Sequence, residues 1–505
     1  MLSRILQTCL CLLLAVTCGA AEVRLTTPQG TLVGATAPDS DKVRVFKGIP
    51  YGAPPVGPGR WHHATPAAGW QGERLATEFS PVCLQHPYAP GTFFARPSRI
   101  SSEDCLYLNV WTAADSNEKL PVMFWIHGGG LTRGTGATEA YDGTALANKG
   151  VVVVTINYRL DLFGYFNHPD LKDEAGNPLA NFGTTDQVLA LKWVRDNISA
   201  FGGDPGNVTI FGESAGAFSV HHLMATPLAA GLFHRAIGQS GSALGPMDNL
   251  RDKTSPAHAM ALKLQSQAGA TNLHDLMHID GARLLSLAEG TRFRPAVDGM
   301  VFEQEIRRQF AQGTFNAVPL MVGFNAHEGT TLGVTYRIPA SAEEYIARVR
   351  KQYGDLADQF LQIYPATDLR KSTLDAFRDG FVTESMQTWA MNMEQTGQPA
   401  YLYYFTFEPA GPELGAYHAA EIVYAFNNVS LVNPAADSRH MELAEAMSDY
   451  WTNFAKTGNP NGKGLARWRP YTAGKRHYIE LGDTIKPGTD LLPGIWELYQ
   501  GFRTR

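Results

Sequence analysis

Two apolar segments in the first third of the chain restrict its fold most strongly. They are residues 121–126 (PVMFWI) and 151–157 (VVVVTIN), and apolar and polar side chains do not alternate in either of them. Alternation marks a strand with one solvated face, whereas a continuous apolar run is typical of a strand buried on both faces. Both segments therefore predict central strands of a largely parallel sheet that is flanked by helices.

Further along the chain, predicted strands and helices follow one another in turn. A helix over 185–197 precedes a strand at 207–212, and a helix over 214–223 separates that strand from another at 236–240. Apolar β-type stretches also occur at 43–47, 106–112, 319–324 and 401–407. This alternation predicts a doubly wound α/β fold.

Two longer stretches, 248–289 and 340–393, are mostly helical in pattern. No linker rich in Pro, Ser or Gly isolates either of them, so we interpret them as helical insertions around the sheet. Residues 447–457 are predicted to form a terminal amphipathic helix. We therefore expect one large domain, 21–505.

Composition narrows the class of protein. Of the 505 residues, 44% are hydrophobic and 18% are charged, which is ordinary for a globular protein and excludes a disordered or fibrous chain. A formal net charge of -6 offers no electrostatic basis for a nucleic-acid partner. No later segment has the roughly 20 uncharged, mostly apolar residues that a membrane-spanning helix needs, so no transmembrane segment is predicted.

Residues 1–20 have the pattern of a secretory signal peptide. Arg4 supplies the positive start, residues 10–16 are apolar, and small residues follow at 19–21. A lipoprotein anchor at Cys18 is the alternative, although residues 15–17 fit that pattern poorly. The mature protein is predicted to be secreted or periplasmic.

Removal of that segment leaves two cysteines, Cys83 and Cys105. In an oxidising compartment such a pair predicts a disulfide, which would close a loop of about 22 residues and stabilise the fold by ~3 kcal/mol. The alternative is a cysteine nucleophile, which needs a positive and accessible setting that nothing nearby in the sequence indicates.

The segment Gly212-Glu213-Ser214-Ala215-Gly216 matches G-x-S-x-G and lies between a predicted strand and a predicted helix. A sharp strand-to-helix turn exposes the serine hydroxyl, and glycines are needed where the backbone turns closely. The amino end of the following helix favours negative charge. Ser214 is therefore the candidate nucleophile.

Three glycines follow the predicted strand at 121–126, in His127-Gly128-Gly129-Gly130. Backbone N–H groups at such a site can approach a ligand closely, as in the oxyanion loop of esterases. The alternative is a plain flexible turn.

Several longer motifs carry a resemblance to a known family. They are 48–51 with 54–57, 103–110 (EDCLYLNV), 125–130, 157–160, 201–216 (FGGDPGNVTIFGESAG), 297–299, 450–460 and Trp468. In these motifs the chain resembles the type-B carboxylesterase/cholinesterase family of α/β-hydrolases. The resemblance implies an α/β-hydrolase fold with helical insertions over an active-site gorge. It also implies hydrolysis of small to medium carboxylic esters, and a disulfide loop that reaches towards the active-site mouth.

In this fold the catalytic residues occur in the order nucleophile, acid, histidine. Glu328 lies just beyond the predicted strand at 319–324, and His418 follows the strand at 401–407. We predict that Ser214, Glu328 and His418 form a triad, the alternative for Glu328 being a surface residue. Among the other histidines, His221 and His222 are expected to pack or to be solvated, and His127 is expected to shape the glycine loop.

The resemblance also assigns supporting groups. The backbone N–H groups of Gly129, Gly130 and Ala215 are the expected oxyanion donors, and Ser240 stands where the family often has a serine that supports the acid. An ordinary strand-end hydroxyl is the alternative for Ser240. The predicted mechanism needs no metal or other cofactor, and no His/Cys cluster has the spacing of metal ligands.

The substrate pocket is the least determined part. Residues 84–104 contain Tyr88, Phe93 and Phe94 but no tryptophan, which disfavours the cation–π recognition of choline esters. Leu131 fits a general carboxylesterase. Arg133 is either a reader of substrate carboxylates or simply exposed. Asp161 replaces a residue that is usually small in the family and has no explanation in the sequence.

The partner is expected to be a small-molecule ester, and the oligomeric state is open. Three other functions are considered: a binding protein, a lipase with interfacial activation, and an amidase or lactone hydrolase. Family members that act as binding proteins have lost the serine, so the intact set of Ser214, Glu328 and His418 argues against the first.

Overall fold

The computed structural model describes residues 21–88, 92–94, 99–115 and 117–503. The predicted signal peptide, 1–20, and the alternative anchor at Cys18 lie outside the described residues. Within the described ranges, no helix is long and apolar enough to cross a membrane.

The structure contains strands of 2 to 11 residues along most of the chain. The strands are β1 Glu22–Thr27, β2 Gly30–Ala37, β3 Ser40–Pro50, β4 Glu73–Leu75, β5 Val82–Cys83, β6 Ser101–Ser102, β7 Tyr107–Thr112, β8 Leu120–Ile126, β9 Val152–Ile156, β10 Gly203–Glu213, β11 Arg235–Gln239, β12 Leu320–Asn325, β13 Ala400–Phe405, β14 His477–Leu481 and β15 Lys486–Thr489.

Helices connect most of the later strands. They are α1 Thr144–Asn148, α2 Asp161–Tyr165, α3 Phe182–Asn197, α4 Ala215–Ala225, α5 Pro256–Gln267, α6 Leu273–Met277, α7 Gly281–Leu287, α8 Ile306–Ala311, α9 Ala342–Tyr353, α10 Ala357–Ile363, α11 Leu369–Arg378, α12 Glu384–Asn392, α13 Ile422–Ala425, α14 Val429–Val432, α15 Ser438–Thr457 and α16 Ile495–Arg503. A π-helical turn, Asp379–Thr383, joins α11 to α12.

One large mixed sheet organises these elements. Its strand order is β1-β2-β3-β7-β9-β8-β10-β11-β12-β13-β14-β15, with β4 beside β2. The strands from β9 to β14 in this order are parallel, whereas both ends of the sheet are antiparallel. The parallel centre places the carboxyl ends of β8, β10, β12 and β13 along one edge, where ligands bind in open α/β sheets.

The central strands are buried on both faces, as their continuous apolar runs predict. In β9, Val152 and Val154 belong to one hydrophobic cluster and Val153 belongs to the other. Helices α3 and α4 cover the first face, and α15 covers the second. The predicted α/β architecture, with a large and mostly parallel central sheet, is therefore confirmed.

The helical insertions are also confirmed, and Phe381 of the second one contacts His418. Residues 248–289 form α5, α6 and α7, and 340–393 form α9 to α12. The second insertion packs with α16 around a hydrophobic cluster of its own that includes Tyr345, Phe360 and Leu498.

The prediction of a terminal helix at 447–457 was wrong in two respects. The helix α15 begins earlier, at Ser438, where the side chain of Asp437 accepts hydrogen bonds from two backbone N–H groups. The chain then adds β14, β15 and α16. The strands β1 and β2 were also missed, since both are partly exposed and have no continuous apolar run.

Candidate active site

Ser214 occupies a strained turn between β10 and α4. Its backbone has φ 55° and ψ -120°, outside the regions that most side chains prefer. A hydrogen bond of 2.8 Å from Ser214 N to Gln239 O holds the turn. A Cβ on Gly216 would lie 2.0 Å from Ile126 O, which explains why the position after the turn needs glycine. The turn leaves Ser214 partly exposed at the carboxyl edge of the sheet.

The glycine loop after β8 packs directly against this turn. A Cβ on Gly128 would lie 3.2 Å from Ser214 Cβ, so the two backbones are close. Gly129 and Gly130 have φ values of 107° and 69°. Within the described part of the chain, the N–H groups of Gly129, Gly130 and Ala215 donate no hydrogen bond to the protein. These three donors are thus available to a ligand oxygen beside Ser214.

His127 shapes this loop. Its ring stacks on Tyr158 at 4.5 Å, and Tyr158 Oη donates to His127 O at 2.8 Å. Nδ1 of His127 lies 2.8 Å from Gly128 O. Burial lowers the pKa of His127 to about 4, so the ring is neutral at physiological pH. These contacts fit its expected role in supporting the loop.

Glu328 and His418 are brought together from the loops that follow β12 and β13. Both side chains are buried, and Glu328 Oε2 lies 2.5 Å from His418 Nδ1. Glu328 Oε1 accepts a hydrogen bond of 2.8 Å from Asn325 N, which fixes the carboxylate at the end of β12. Burial lowers the pKa of His418, but the carboxylates of Glu213 and Glu328 outweigh burial and raise it to about 9.

The other nitrogen of His418 faces the turn that carries the serine. Nε2 lies 3.1 Å from Oε1 of Glu213, the residue immediately before Ser214. Among the described residues, Ser214 Oγ forms no hydrogen bond to the ring. Such contacts are often long in unliganded enzymes and shorten when substrate binds.

Two further buried carboxyl groups, Glu213 and Glu421, act on the histidine, and neither was predicted from the sequence. Glu421 accepts hydrogen bonds from Asn325 Nδ2 at 2.6 Å and from Gln239 Nε2 at 3.1 Å. Burial, followed by the charge of Glu328, raises the pKa of Glu421 to about 7. Burial is also the main reason that the pKa of Glu213 is raised to about 8. In the sequence, Glu213 adjoins Ser214 and Glu421 follows His418 by three residues, which could have marked both as site residues. This spacing does not show that their side chains are buried.

Ser240 does not contact the acid. It is buried at the end of β11, and its backbone N donates to Gly323 O at 2.8 Å. Its hydroxyl has no hydrogen-bond partner among the described residues. The arrangement therefore gives no direct support to Glu328 from this hydroxyl.

The predicted disulfide between Cys83 and Cys105 is present, with Cα atoms 4.9 Å apart. In the loop that it closes, Phe93 packs edge-on against Tyr417 with ring centroids 4.7 Å apart. Tyr417 precedes His418, so the loop reaches the active-site mouth. Residues 89–91 and 95–98 of this loop lie outside the described residues.

The remaining predicted pocket residues lie on the same side. Phe94 contacts both Phe93 and Tyr88, and Arg133 lies over the Tyr88 ring at 4.8 Å. Leu131 is buried with φ 60° directly after the glycine loop. These contacts join the aromatic residues of the disulfide loop to the segment that follows the glycine loop.

Three aromatic residues that were not predicted from the sequence, Phe218, Phe377 and Phe381, form an aromatic wall beside His418. Phe381, in the π-helical turn, packs edge-on against the His418 ring at 5.9 Å. Phe377 stacks on Phe381 at 5.4 Å, and Phe218 contacts it at 6.5 Å. All three rings are partly exposed. Arg378 anchors this turn by donating to Ala326 O at 3.2 Å, close to Glu328.

His221 and His222 lie in the core. His221 stacks on Trp389 at 3.9 Å, and His222 contacts Phe302 at 5.2 Å. Burial lowers the pKa of His222 to about 3, and burial also lowers the pKa of His221 well below its usual value. Both rings are neutral packing residues.

A serine on a strained strand-to-helix turn, an adjacent glycine loop and a buried carboxylate–histidine pair at the carboxyl edge of a mixed sheet define an α/β-hydrolase. A family model described as the carboxylesterase family matches residues 21–491, and the chain belongs to that family. The chain is therefore a carboxylic ester hydrolase.

Similar proteins agree with this assignment. The chain is 36% identical over 493 residues to a medium-chain fatty acyl-CoA hydrolase precursor of Anas platyrhynchos, covering 89% of this chain and 86% of that protein. It is 36% identical over 487 residues to a fumonisin B1 esterase of Sphingopyxis macrogoltabida, covering 91% and 87%. A solved carboxylesterase of Geobacillus stearothermophilus superposes with a TM-score of 0.83 at 34% identity, covering 94% of this chain and all of that one.

Proposed function

We propose that the chain is a secreted serine esterase that cleaves small to medium carboxylic esters through an acyl-enzyme. Ser214 is the nucleophile, His418 is the general base and acid, and Glu328 orients the histidine. The observation that carries this proposal is the 2.5 Å contact between His418 Nδ1 and Glu328, with Nε2 facing the turn of Ser214.

Acylation begins when Nε2 of His418 accepts the Ser214 proton as Oγ bonds to the ester carbonyl carbon. The negative charge that develops on the carbonyl oxygen is stabilised by the N–H groups of Gly129, Gly130 and Ala215. The ester C–O bond then breaks, and His418 returns the proton to the departing alcohol.

Deacylation repeats the sequence with water. His418 accepts a proton from the water as its oxygen bonds to the acyl carbon, and the Ser214 Oγ–carbon bond breaks as the proton returns to Oγ. Glu328 keeps Nδ1 protonated, so that Nε2 is the free base at the start of each half-reaction. No cofactor enters either half.

The partly exposed aromatic rings beside His418 are the evidence that the substrates carry small to medium acyl or alcohol groups. Phe218, Phe377 and Phe381 offer partly exposed rings on one side of His418, and Phe93 approaches from the disulfide loop. The names of two relatives, a medium-chain acyl-CoA hydrolase and a fumonisin B1 esterase, are consistent with acyl transfer to water.

Export is part of the same proposal. Residues 1–20 act as a signal peptide and 21–505 form the mature enzyme, which the Cys83–Cys105 disulfide supports because such bonds persist in oxidising compartments. Sequencing the amino terminus of the exported protein tests this. A start at residue 21 is expected, and an intact Met1 in the exported protein would contradict the proposal.

The test of the activity is hydrolysis of 4-nitrophenyl esters from acetate to palmitate by the mature wild type, by Ser214→Ala and by Ser266→Ala. Ser266 is an exposed serine on α5 and serves as the matched control. We expect Ser214→Ala to lose at least ~1000-fold in kcat and the control to keep wild-type rates. Residual activity within tenfold of wild type in Ser214→Ala would exclude Ser214 as the nucleophile.

Related measurements distinguish the esterase from a lipase, an amidase and a binding protein. A rate that rises sharply above the solubility limit of the long esters would indicate a lipase, and cleavage of 4-nitroanilides would add amidase activity. Absence of turnover together with no labelling of Ser214 by an organophosphate would favour a binding protein.

A further inference from the structure

Asp161 connects the glycine loop to a distant basic segment. Its backbone N donates to Leu131 O at 2.7 Å, and its Oδ1 accepts from Phe293 N at 3.1 Å. Its φ of 46° lies in the left-handed region, which explains why a small residue suits this position and why aspartate, unlike most other residues, is tolerated there. The side chain is buried, so a carboxylate has been placed behind the oxyanion loop.

Basic side chains lie on both segments that Asp161 joins, because Arg133 follows Leu131 by two residues and Arg292 directly precedes Phe293. Electrostatic interactions with His86, Arg292 and Arg133 favour the ionised form of Asp161. Burial raises the pKa of Asp161, while the Phe293 N–H and the three basic groups lower it. Among the described residues, Asp161 forms no ion pair with either arginine, so the two arginines and the one carboxylate carry a net positive charge.

The guanidinium of Arg133 makes few contacts with the residues that the structure describes. Its Nη1 is 3.4 Å from Pro87 O, and its other contact is the Tyr88 ring at 4.8 Å. No ion pair joins Arg133 to a residue that the structure describes. Arg133 is partly exposed, and its Cγ would lie 3.3 Å from a Cβ on Gly129, so its side chain begins directly beside the glycine loop.

Arg292 extends the basic region outward from the site. It lines an open cleft of about 490 Å³ together with Lys263 and Arg294. These three side chains are exposed, and none forms an ion pair with a described residue. Arg292 therefore places positive charge in this cleft, and it directly precedes Phe293, whose backbone N donates to Asp161.

We propose that Arg133 and Arg292 bind a free carboxylate on the substrate, so that the preferred esters are those that carry one, such as half-esters of dicarboxylic acids. This inference rests on the proposed esterase function and names its substrate class. A carboxylate is favoured over a phosphate dianion because Asp161 stands in the same group and opposes a second negative charge.

The experiment compares esters of matched length with and without the charge. Mono-4-nitrophenyl adipate and 4-nitrophenyl hexanoate have the same acyl chain, with a terminal carboxylate in place of a methyl group. A second pair, 4-carboxyphenyl acetate and phenyl acetate, places the charge on the alcohol side. For each enzyme the readout is the ratio of kcat/KM within a pair, which cancels changes in folding or in active-enzyme concentration.

We expect the wild type to prefer the charged ester by about tenfold in at least one pair, the size of one charge-assisted hydrogen bond. Arg133→Gln and Arg292→Gln should each reduce that ratio several-fold, and 0.5 M NaCl should reduce it in the wild type. Arg467→Gln, an exposed arginine beyond α15, is the matched control and should leave the ratio unchanged.

The possible outcomes distinguish failure of the carboxylate inference from failure of the proposed esterase function. Hydrolysis of the neutral esters without preference for the charged ones, or a preference that survives in both arginine variants, overturns the carboxylate inference and leaves the esterase function intact. Failure of the wild type to hydrolyse any of the four esters contradicts the esterase function itself, and the inference falls with it. Because Arg133 adjoins the oxyanion loop, Arg292→Gln decides the question if Arg133→Gln fails to fold.

Discussion

Glu213 Oε1 lies 3.1 Å from Nε2 of His418, at the end of the ring opposite to the atom that contacts Glu328. The imidazole is therefore held between two carboxylates, of which only Glu328 belongs to the proposed triad. The second carboxylate favours the protonated ring, and it is the largest of the charges that raise the pKa of His418 to about 9. The proposed general base must be unprotonated, so we expect Glu213 to limit activity at pH values below the pKa of His418.

This relationship predicts the effect of Glu213→Gln on pH dependence. Glu213, with a pKa of about 8, is ionised at the pH where His418 titrates, so removing its charge lowers the pKa of His418. The acid limb of kcat/KM should then move to lower pH by about one unit or more. The measurement is a profile from pH 5 to 10 with 4-nitrophenyl acetate.

Glu421→Gln is the matched control for that profile. Glu421 also raises the pKa of His418, but it is the weakest of the contributing charges. Its variant should shift the acid limb in the same direction by a smaller amount. An unshifted limb in Glu213→Gln, or a larger shift in Glu421→Gln, would show that Glu213 does not control the base.

The glycine loop predicts a contrast between two neighbouring positions. A Cβ on Gly129 would lie 2.1 Å from Arg133 O, whereas the nearest atom to a Cβ on Gly130 is Thr132 Oγ1 at 3.7 Å. Gly129→Ala must therefore displace the loop, and we expect kcat to fall by about 100–1000-fold, the cost of losing an oxyanion donor. Gly130→Ala meets only backbone strain, so its loss should be about tenfold or less. Equal losses of kcat in the two variants would show that displacement of the loop at Gly129 is not what reduces activity.

Much of the fold could be predicted because it depends on local signals. The segments 121–126 and 151–157 are apolar throughout, and this property alone indicated strands with two buried faces. The G-x-S-x-G turn and the disulfide also have short-range patterns. Candidates for the acid and the histidine followed from the chain order typical of the fold.

What could not be predicted depends on long-range packing. Phe381 reaches His418 because the second insertion folds back over the sheet and contains a π-helical turn, which no periodicity indicates. The burial of Glu421 depends on Asn325 and Gln239, which come from two other strands. The strand β1 is mostly exposed, and β2 mixes small and polar residues with its buried Leu32 and Val33, so neither has a continuous apolar run.

The position of Phe381 beside His418 leads to a prediction about the preferred length of the substrate's acyl or alcohol chain. Its ring covers one side of His418, so a longer acyl or alcohol group gains apolar contact there, worth about 0.8 kcal/mol for each fully buried methylene. Phe381→Ala should lower kcat/KM for 4-nitrophenyl butyrate several-fold more than for the acetate. Phe377→Ala is the control, since Phe377 stacks on Phe381 and has no such contact with His418, and it should change the ratio less. A butyrate-to-acetate ratio that is unaltered in Phe381→Ala places the chain-binding surface elsewhere.

Glu421 predicts a pH dependence of stability that is separate from catalysis. Its pKa is raised from 4.5 to about 7, chiefly by burial, so its contribution to stability is fully present below about pH 4.5 and is lost as the pH rises through about 7. Glutamine keeps the size of the side chain and cannot ionise. The fall in the free energy of unfolding between pH 5 and pH 8 should therefore be smaller in Glu421→Gln than in the wild type, by on the order of 2 kcal/mol. Urea titrations at both pH values measure this difference, with the exposed Glu174→Gln as a control that should follow the wild type. If Glu421→Gln loses as much stability over this range as the wild type, the burial cost of that carboxylate does not govern the alkaline side of the stability curve.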